Sequence, residues 1–89
     1  MIKHYSIRIT GKVQSVYFRA GTKETAVPLG ITGFVRNEPD GSVYIEAEGE
    51  EKQLAIMMAW CRQGPPRAIV EQIACQKEAL RHYTDFEIR

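Results

Sequence analysis

Residues 11–19, Gly-Lys-Val-Gln-Ser-Val-Tyr-Phe-Arg, connect an alternating segment to a helix-forming segment. Apolar and polar residues alternate over residues 3–10, which is typical of a strand with one solvated face: Tyr5, Ile7 and Ile9 on one side, His4, Ser6, Arg8 and Thr10 on the other. Helical spacing begins directly afterwards, at Phe18, Thr22, Ala26 and Leu29. A strand that passes straight into a helix cannot form a tight hairpin with the next strand, so the helix has to cross one face of the sheet.

The same stretch has the features of an anion-binding site. A strand that ends at Gly11 and turns into a helix exposes several backbone N–H groups within a small arc, beside the positive end of the helix. Arg19 falls in the first turn of that helix, where its guanidinium adds a planar, bidentate and permanently charged donor. We therefore interpret residues 11–19 as a phosphate-binding loop, in which Lys12 either raises the local potential or faces solvent.

The first helix has clear end signals. It is predicted from about Phe18 to about Val27, and Gly21 in its interior costs about 1 kcal/mol relative to alanine. Pro28 lacks a backbone N–H and should kink or stop the last turn. Gly30 is a suitable C-terminal cap.

A hairpin follows this helix. Strands are predicted over residues 31–37 and 42–48, joined by the turn Glu38-Pro39-Asp40-Gly41. The second strand alternates, with Val43, Ile45 and Ala47 facing the core and Tyr44, Glu46 and Glu48 facing outward. Gly49 is predicted to end it.

The second half of the chain repeats the pattern of helix and strand. A helix begins at Glu50, and its core stripe is spaced i, i+3, i+4, i+7: Leu54, Met57, Met58 and Cys61. Gly64-Pro65-Pro66 stops that helix. A strand follows over residues 68–76, where a change in apolar parity predicts a bulge near Glu71-Gln72, and Phe86 with Ile88 forms a short last strand.

The order of these elements predicts the fold class. Two strand–helix–strand units with right-handed crossovers place both helices on the same face of the sheet. The predicted fold is an α+β, ferredoxin-like two-layer sandwich, β-α-β-β-α-β plus a short C-terminal strand. Its sheet is antiparallel, and residues 1–89 form a single domain.

Composition and single residues limit the partners, the location and the metal sites that we expect. The formal net charge of +1 provides no global basic field, which argues against a nucleic-acid partner. No signal core or membrane-spanning run is present, so we expect no membrane partner and a cytoplasmic location. Cys61 and Cys75 are interpreted as core residues, with one disulfide between them left open. His4 and His82 have no partner at metal-ligand spacing and are expected at the surface.

Two motifs stand in a defined order and at a defined distance: Gly11-x-Val13-Gln14-x-Val16-x-Phe18-Arg19 and Leu29-Gly30-Ile31-x-Gly33-Phe34-Val35-Arg36-Asn37. They resemble the two signatures of the acylphosphatase family, and further likeness extends over nearly the whole chain. The resemblance implies hydrolysis of the carboxyl–phosphate bond of acyl phosphates without metal or cofactor. It also implies that Arg19 binds the phosphate and Asn37 positions the attacking water. The phosphate cradle is then the loop backbone, at Gln14, Ser15, Val16, Tyr17 and Phe18.

The chemistry agrees with this implication. A carboxylate is a good leaving group, so the reaction needs no general acid, and catalysis reduces to holding the phosphoryl group and aiming a water. The amide of Asn37 accepts a hydrogen bond without adding negative charge beside a phosphate. In a ferredoxin-like fold Arg19 and Asn37 follow strand ends that converge. Tyr17 either contacts the acyl group or is partly buried for packing.

Two positions depart from the family pattern. Ser15 stands where the family usually has glycine, and a serine at positive φ costs roughly 1–2 kcal/mol. Phe34 stands where the family usually has tryptophan. Ser15 motivates an alternative function: an acylphosphatase-like module that binds a phosphorylated ligand without turning it over.

The remaining alternative is an RNA-binding domain of the same fold. The near-neutral charge and the lack of paired exposed aromatics on the strands argue against it. We expect a monomer that acts on a small-molecule acyl phosphate.

Overall fold

The computed structural model describes residues 1–89. The chain folds in the order β1 (Ile2–Lys12), α1 (Phe18–Ala26), β2 (Thr32–Asn37), β3 (Val43–Glu50), α2 (Glu51–Gln63), β4 (Ile69–Glu78) and β5 (Phe86–Ile88). The strands form one sheet in the order β4-β1-β3-β2-β5. The first four strands pair antiparallel as predicted, and β5 adds to β2 in parallel, which makes the sheet mixed. The predicted ferredoxin-like fold is confirmed.

Both helices pack on one face of the sheet and enclose the core. Ile7 of β1 lies opposite Ile45 of β3, and both are fully buried. The predicted core stripe of α2 is confirmed at Leu54, Met57 and Cys61. Burial raises the pKa of the Cys61 thiol to about 12, so this residue remains a neutral packing group. No helix is both long enough and apolar enough to cross a bilayer.

Helix α1 depends on its glycine for packing against α2. A Cβ atom on Gly21 would lie 2.7 Å from Cζ2 of Trp60. The Trp60 ring also packs edge-on against Phe18, with ring centroids 5.3 Å apart. At the other end α1 passes into a 3₁₀ turn, Val27–Leu29, that contains Pro28 and closes on Gly30 at φ 71°. The predicted stop and cap are confirmed.

Two strands continue past the glycines at which they were predicted to end. β1 does not end at Gly11 but continues to Lys12, because β4 stays paired with it beyond the predicted bulge. That bulge is confirmed: the register shifts between Thr10 and Gly11, which leaves Glu71 as the extra residue. A Cβ on Gly11 would lie 2.1 Å from the carbonyl oxygen of Ile69, so the close approach of β4 requires this glycine. β3 likewise passes Gly49 and ends at Glu50, which pairs with Ile2.

The helix-free face of the sheet is partly covered, which corrects two expectations. His4 is only 1% exposed and Glu48 4%, although both were expected to face solvent. Residues 79–85 lie over them: His4 Nδ1 is 2.6 Å from the carbonyl oxygen of Ala79. On its other side His4 Nε2 is 3.0 Å from Glu46 Oε1, which also accepts a hydrogen bond from the Tyr83 hydroxyl. Glu48 accepts from the backbone N–H groups of Arg81, His82 and Tyr83. We call His4, Glu46, Glu48 and Tyr83 the polar cluster.

Cys75 also departs from its predicted place. It is exposed rather than in the core, and it is a free thiol, as is Cys61. Its side of β4 faces α2, but the helix leaves an open groove there, lined by Leu54, Met58 and Cys75 among others. Because β4 is an edge strand, no further element covers that groove. His82 is exposed as expected.

Candidate active site

Buried side chains and one amide hold the loop between β1 and α1 in place. Val13 and Val16 are 1% and 4% exposed and belong to the core. The Gln14 side-chain amide donates to the carbonyl oxygens of Glu38, at 2.8 Å, and Ser42, at 3.0 Å. These two carbonyls belong to the turn between β2 and β3. The loop is therefore fixed both to the core and to the hairpin that carries Asn37.

The loop backbone is sharply bent and its donors are free. Ser15 and Tyr17 have φ of 62° and 73°, in the left-handed region that non-glycine residues rarely adopt. No intramolecular hydrogen bond has the backbone N–H of Gln14, Ser15, Val16 or Tyr17 as its donor. Free N–H groups on a curled backbone before a helix N-terminus form the type of nest that binds anions.

Arg19 adds a positive charge beside these donors. It lies in the first turn of α1, it is exposed, and it takes part in none of the ion pairs of the structure. In contrast Arg8 and Arg36 both pair with Glu38, and Arg89 pairs with Glu87. The guanidinium of Arg19 is therefore available to a ligand, whereas the arginines of the sheet are engaged with carboxylates.

Asn37 has the only buried side-chain polar atom without a hydrogen-bond partner. Its Oδ1 is buried and has no hydrogen-bond partner. A buried acceptor without a partner is rare in folded proteins and marks a position where a water or ligand belongs. Asn37 is the last residue of β2, so the rigid sheet fixes its position.

The predicted convergence is present, because Arg19 and Asn37 line the same open pocket. Its volume is about 260 Å³, and its lining consists of Val13, Ser15, Tyr17, Phe18, Arg19, Ala20, Asn37 and Ile88. Lys12 and the two histidines do not line it, and no group of three or more His, Cys, Asp or Glu side chains is placed to hold a metal ion. The pocket thus combines free N–H donors, a free guanidinium and an unpaired amide oxygen.

The comparisons with known proteins agree with this geometry. The acylphosphatase family model matches residues 5–88. The chain belongs to the acylphosphatase family. It is 49% identical over 86 residues to an acylphosphatase of Marinobacter nauticus, and the match covers 96% of this chain and 94% of the relative. It is therefore a hydrolase of acyl phosphates.

Solved acylphosphatase structures share the whole fold. The acylphosphatase of Coxiella burnetii matches with a TM-score of 0.95 at 33% identity, over 99% of this chain and 93% of the other. The acylphosphatase of Bacillus subtilis also gives a TM-score of 0.95, at 32% identity, over 100% of this chain and 99% of the other. The similarity to solved acylphosphatases thus extends beyond the two motifs to the fold of nearly the whole chain.

The structure resolves the two departures from the family pattern. Ser15 keeps the positive φ that suits the usual glycine, and its exposed side chain lines the pocket. Phe34 lies on the helix-free face, where it is 4% exposed and packs near Arg36, Arg89 and Tyr83. Phe34 therefore lies outside the pocket, whereas Ser15 lines it.

The sequence did not point to Ile88 as a pocket residue. Its position could have been inferred from Phe86, because residues two apart in a strand face the same side and Phe86 is buried on the helix side of β5. Contact with the acyl group and partial burial by packing were both left open for Tyr17, and its side chain is 61% exposed. Both side chains are therefore open to a ligand.

Proposed function

We propose that the loop backbone at residues 14–18 and the guanidinium of Arg19 hold the phosphoryl group while Asn37 orients the attacking water. The observation that carries the proposal is the unpaired Oδ1 of Asn37, in the same pocket as the free guanidinium. An amide oxygen without a protein partner is an acceptor ready for a water proton. The water then faces a phosphorus atom whose oxygens are held by positive charge and N–H dipoles.

The reaction needs little else from the protein. The water oxygen forms a bond to phosphorus, the bond from phosphorus to the bridging oxygen breaks, and the carboxylate leaves with its electron pair. The substrate's own phosphate oxygens take the proton of the water. Positioning and electrostatic stabilisation therefore supply the rate enhancement, without metal or cofactor.

All of these groups come from one copy of the chain. The cradle, the arginine and the asparagine are brought together by a single sheet and one helix. This supports the further proposal that residues 1–89 act as one domain and as a monomer. The substrate is a small-molecule acyl phosphate whose phosphate end is recognised.

The test compares wild type with Arg19→Ala, Arg19→Lys and Asn37→Ala on a generic acyl phosphate in the presence of a chelator. We expect Asn37→Ala to lower kcat by about 10²–10³-fold while inorganic phosphate still binds as a competitive inhibitor. Arg19→Ala should lose both turnover and phosphate binding. Arg19→Lys should not restore them, since a point charge does not reproduce a two-pronged contact.

Arg67→Ala is the matched control, because Arg67 is also exposed and forms no ion pair but does not line the pocket. It should behave as wild type. No hydrolysis above background by the wild type, or full activity of Asn37→Ala, would refute these roles.

The alternative is a module that binds phosphate without turnover, and it is favoured by the serine at φ 62°. A strained Ser15 that shifts the bound phosphoryl group relative to Asn37 would weaken catalysis more than binding. Phosphate-dependent thermal stabilisation without hydrolysis would support this alternative. Recovery of hydrolysis in Ser15→Gly would then show that the conformation of the loop prevents turnover.

A further inference from the structure

The end of β2, where Asn37 lies, has a strand beside it on one side only. Asn37 is the last residue of β2 and pairs with Val43 of β3. On the other side β5 pairs only with residues 33–35 of β2, so no strand lies beside Asn37 there. Strand ends fray more readily than strand centres, whereas the proposed reaction needs the Asn37 amide in a fixed place. Something other than the sheet has to hold this strand end.

The residues on either side of Asn37 reach the opposite face of the sheet, because side chains alternate along a strand. Val35 is fully buried in the core, so Asn37 shares the helix side with it and Arg36 lies on the helix-free face. On that face the Arg36 Nε donates to Glu38 Oε2 at 2.8 Å. The side chains before and after Asn37 are therefore joined to each other behind the sheet.

Arg8 of β1 connects to the same carboxylate. Arg8, Tyr44 and Arg36 lie in one row across β1, β3 and β2. The guanidinium carbon is 5.3 Å from the centre of the Tyr44 ring in Arg8 and 4.9 Å from it in Arg36. Arg8 Nη2 is 3.5 Å from Glu38 Oε1, and Arg8 Nη1 donates to Ser42 Oγ at 2.8 Å. We call Arg8, Arg36, Glu38 and Tyr44 the rear clamp.

The rear clamp is more than an ordinary surface ion pair. An exposed pair contributes little, but the Glu38 side chain is only 17% exposed and faces two guanidiniums, each of which lies against an aromatic ring. Ser42 is 3% exposed, and its carbonyl oxygen accepts from the Glu38 N–H at 2.9 Å. Arg8 thus contacts both ends of the turn that follows Asn37.

We propose that Arg8 and Glu38 are positioning residues, which fix the end of β2 from the helix-free face and thereby the direction in which Asn37 presents the attacking water. The proposal rests on the proposed role of Asn37. Neither residue lines the pocket or belongs to the β1–α1 loop, so phosphate binding does not depend on them. The rear clamp therefore acts on kcat and leaves the affinity for phosphate unchanged.

The experiment measures kcat, KM and the inhibition constant of inorganic phosphate for wild type, Arg8→Met, Glu38→Gln and the double variant. Arg8→Met keeps an unbranched side chain beside Tyr44 and loses the charge. Glu38→Gln keeps one acceptor oxygen, so its N–H₂ group faces the N–H groups of one arginine. We expect each single variant to lower kcat about three- to tenfold, with KM and the inhibition constant unchanged.

The double variant tests whether the two residues act through each other. Its loss of kcat should be smaller than the product of the two single losses, and losses that multiply would overturn the shared action. Glu87→Gln is the matched control. It breaks another ion pair between residues two apart, from Arg89 Nε to Glu87 Oε1 at 3.0 Å, and Glu87 does not line the pocket. This variant should keep the wild-type kcat.

Nuclear magnetic resonance separates the rear clamp from catalysis. The side-chain N–H₂ signals of Asn37 should shift or broaden in Arg8→Met and Glu38→Gln but not in Glu87→Gln. That result supports the rear clamp even if wild type does not hydrolyse acyl phosphates, and absent turnover alone would refute only the proposed function. Unchanged Asn37 signals in both variants, an unchanged kcat in both, or weaker phosphate binding that accounts for the whole loss of activity would overturn the positioning role.

Discussion

The pocket and the polar cluster each include polar side chains of the sheet, but these side chains are hydrogen-bonded within the protein in the polar cluster and unpaired in the pocket. In the polar cluster every buried group has a partner: His4 lies between two oxygens, and Glu48 accepts three backbone N–H groups. In the pocket the Asn37 oxygen has no partner and the Arg19 guanidinium no carboxylate.

The difference separates groups that stabilise the fold from groups that wait for a ligand. A buried hydrogen bond to a charged group stabilises the folded chain by about 1.5–3 kcal/mol. An unpaired buried acceptor stabilises nothing until a water or a substrate reaches it. The polar cluster therefore holds residues 79–85 on the sheet, and the pocket keeps its hydrogen-bonding capacity for a ligand.

The largest effect should come from removing one acceptor from each region. Glu48→Ala leaves three backbone donors without an acceptor, and we expect the free energy of unfolding to fall by about 2–3 kcal/mol. Asn37→Ala removes an oxygen that bonds to nothing, so its free energy of unfolding should stay within about 0.5 kcal/mol of wild type. Urea unfolding of both variants at neutral pH measures the difference.

Hydrolysis rates of the same two variants, measured at a temperature well below the unfolding transition, are the second part of this comparison. Glu48→Ala should keep its activity and Asn37→Ala should lose it. Equal destabilisation by the two substitutions would show that the Asn37 oxygen is structural after all, and the contrast between the two regions would disappear.

A smaller effect should come from relieving the backbone strain in the loop. Ser15→Gly removes the cost of a serine at φ 62°, and we expect the chain to gain about 1 kcal/mol of stability. Ser15→Ala is the control, because it removes the hydroxyl and keeps the strain. If Ser15→Gly is no more stable than Ser15→Ala in thermal unfolding, the loop carries no strain that glycine relieves.

The smallest effect concerns the pH dependence of stability. Burial raises the pKa of Glu46, but hydrogen bonds from Tyr83, Tyr44 and His4 outweigh burial and hold that pKa below its ordinary value of 4.5. Burial likewise opposes the charge on Glu48, and the N–H groups of residues 81–83 outweigh it and lower its pKa. A carboxyl whose pKa is lower in the folded chain stabilises the fold above its unfolded pKa.

That contribution is lost as the pH falls below about 4.5 and through the lower folded pKa values. Urea unfolding from neutral to acidic pH should show stability that falls steadily in wild type and less steeply in Glu46→Gln. A wild-type curve that is flat or rises towards acid would contradict the role of these carboxylates.

Local patterns in the sequence predicted the elements and the convergence at the pocket. Alternation placed Ile7 and Ile45 in the core, and Pro28 with Gly30 ended the first helix as expected. The order of strands and helices was enough to bring Arg19 and Asn37 to one pocket. These results depend on neighbours in sequence and on handedness, which a single sequence reports well.

Contacts between distant segments were not predictable in the same way. His4 is buried by a segment that returns more than seventy residues later, and nothing in the alternation of β1 signals that return. The expected effect of Gly21 on stability is opposite for helix propensity and for packing. Helix propensity makes it a cost of about 1 kcal/mol, whereas a Cβ there would lie 2.7 Å from Trp60. Which of these effects prevails depends on how α1 crosses α2.

The Gln14 amide has a consequence for engineering the enzyme. It joins the β1–α1 loop to the β2–β3 turn through two carbonyl oxygens, so it fixes the spacing between the proposed phosphate-binding loop and the strand that ends at Asn37. A loop transplanted into another ferredoxin-like scaffold would bring the proposed phosphate-binding groups without the hydrogen bonds that fix their position relative to Asn37. The transferable unit is the loop together with the turn that it is braced against.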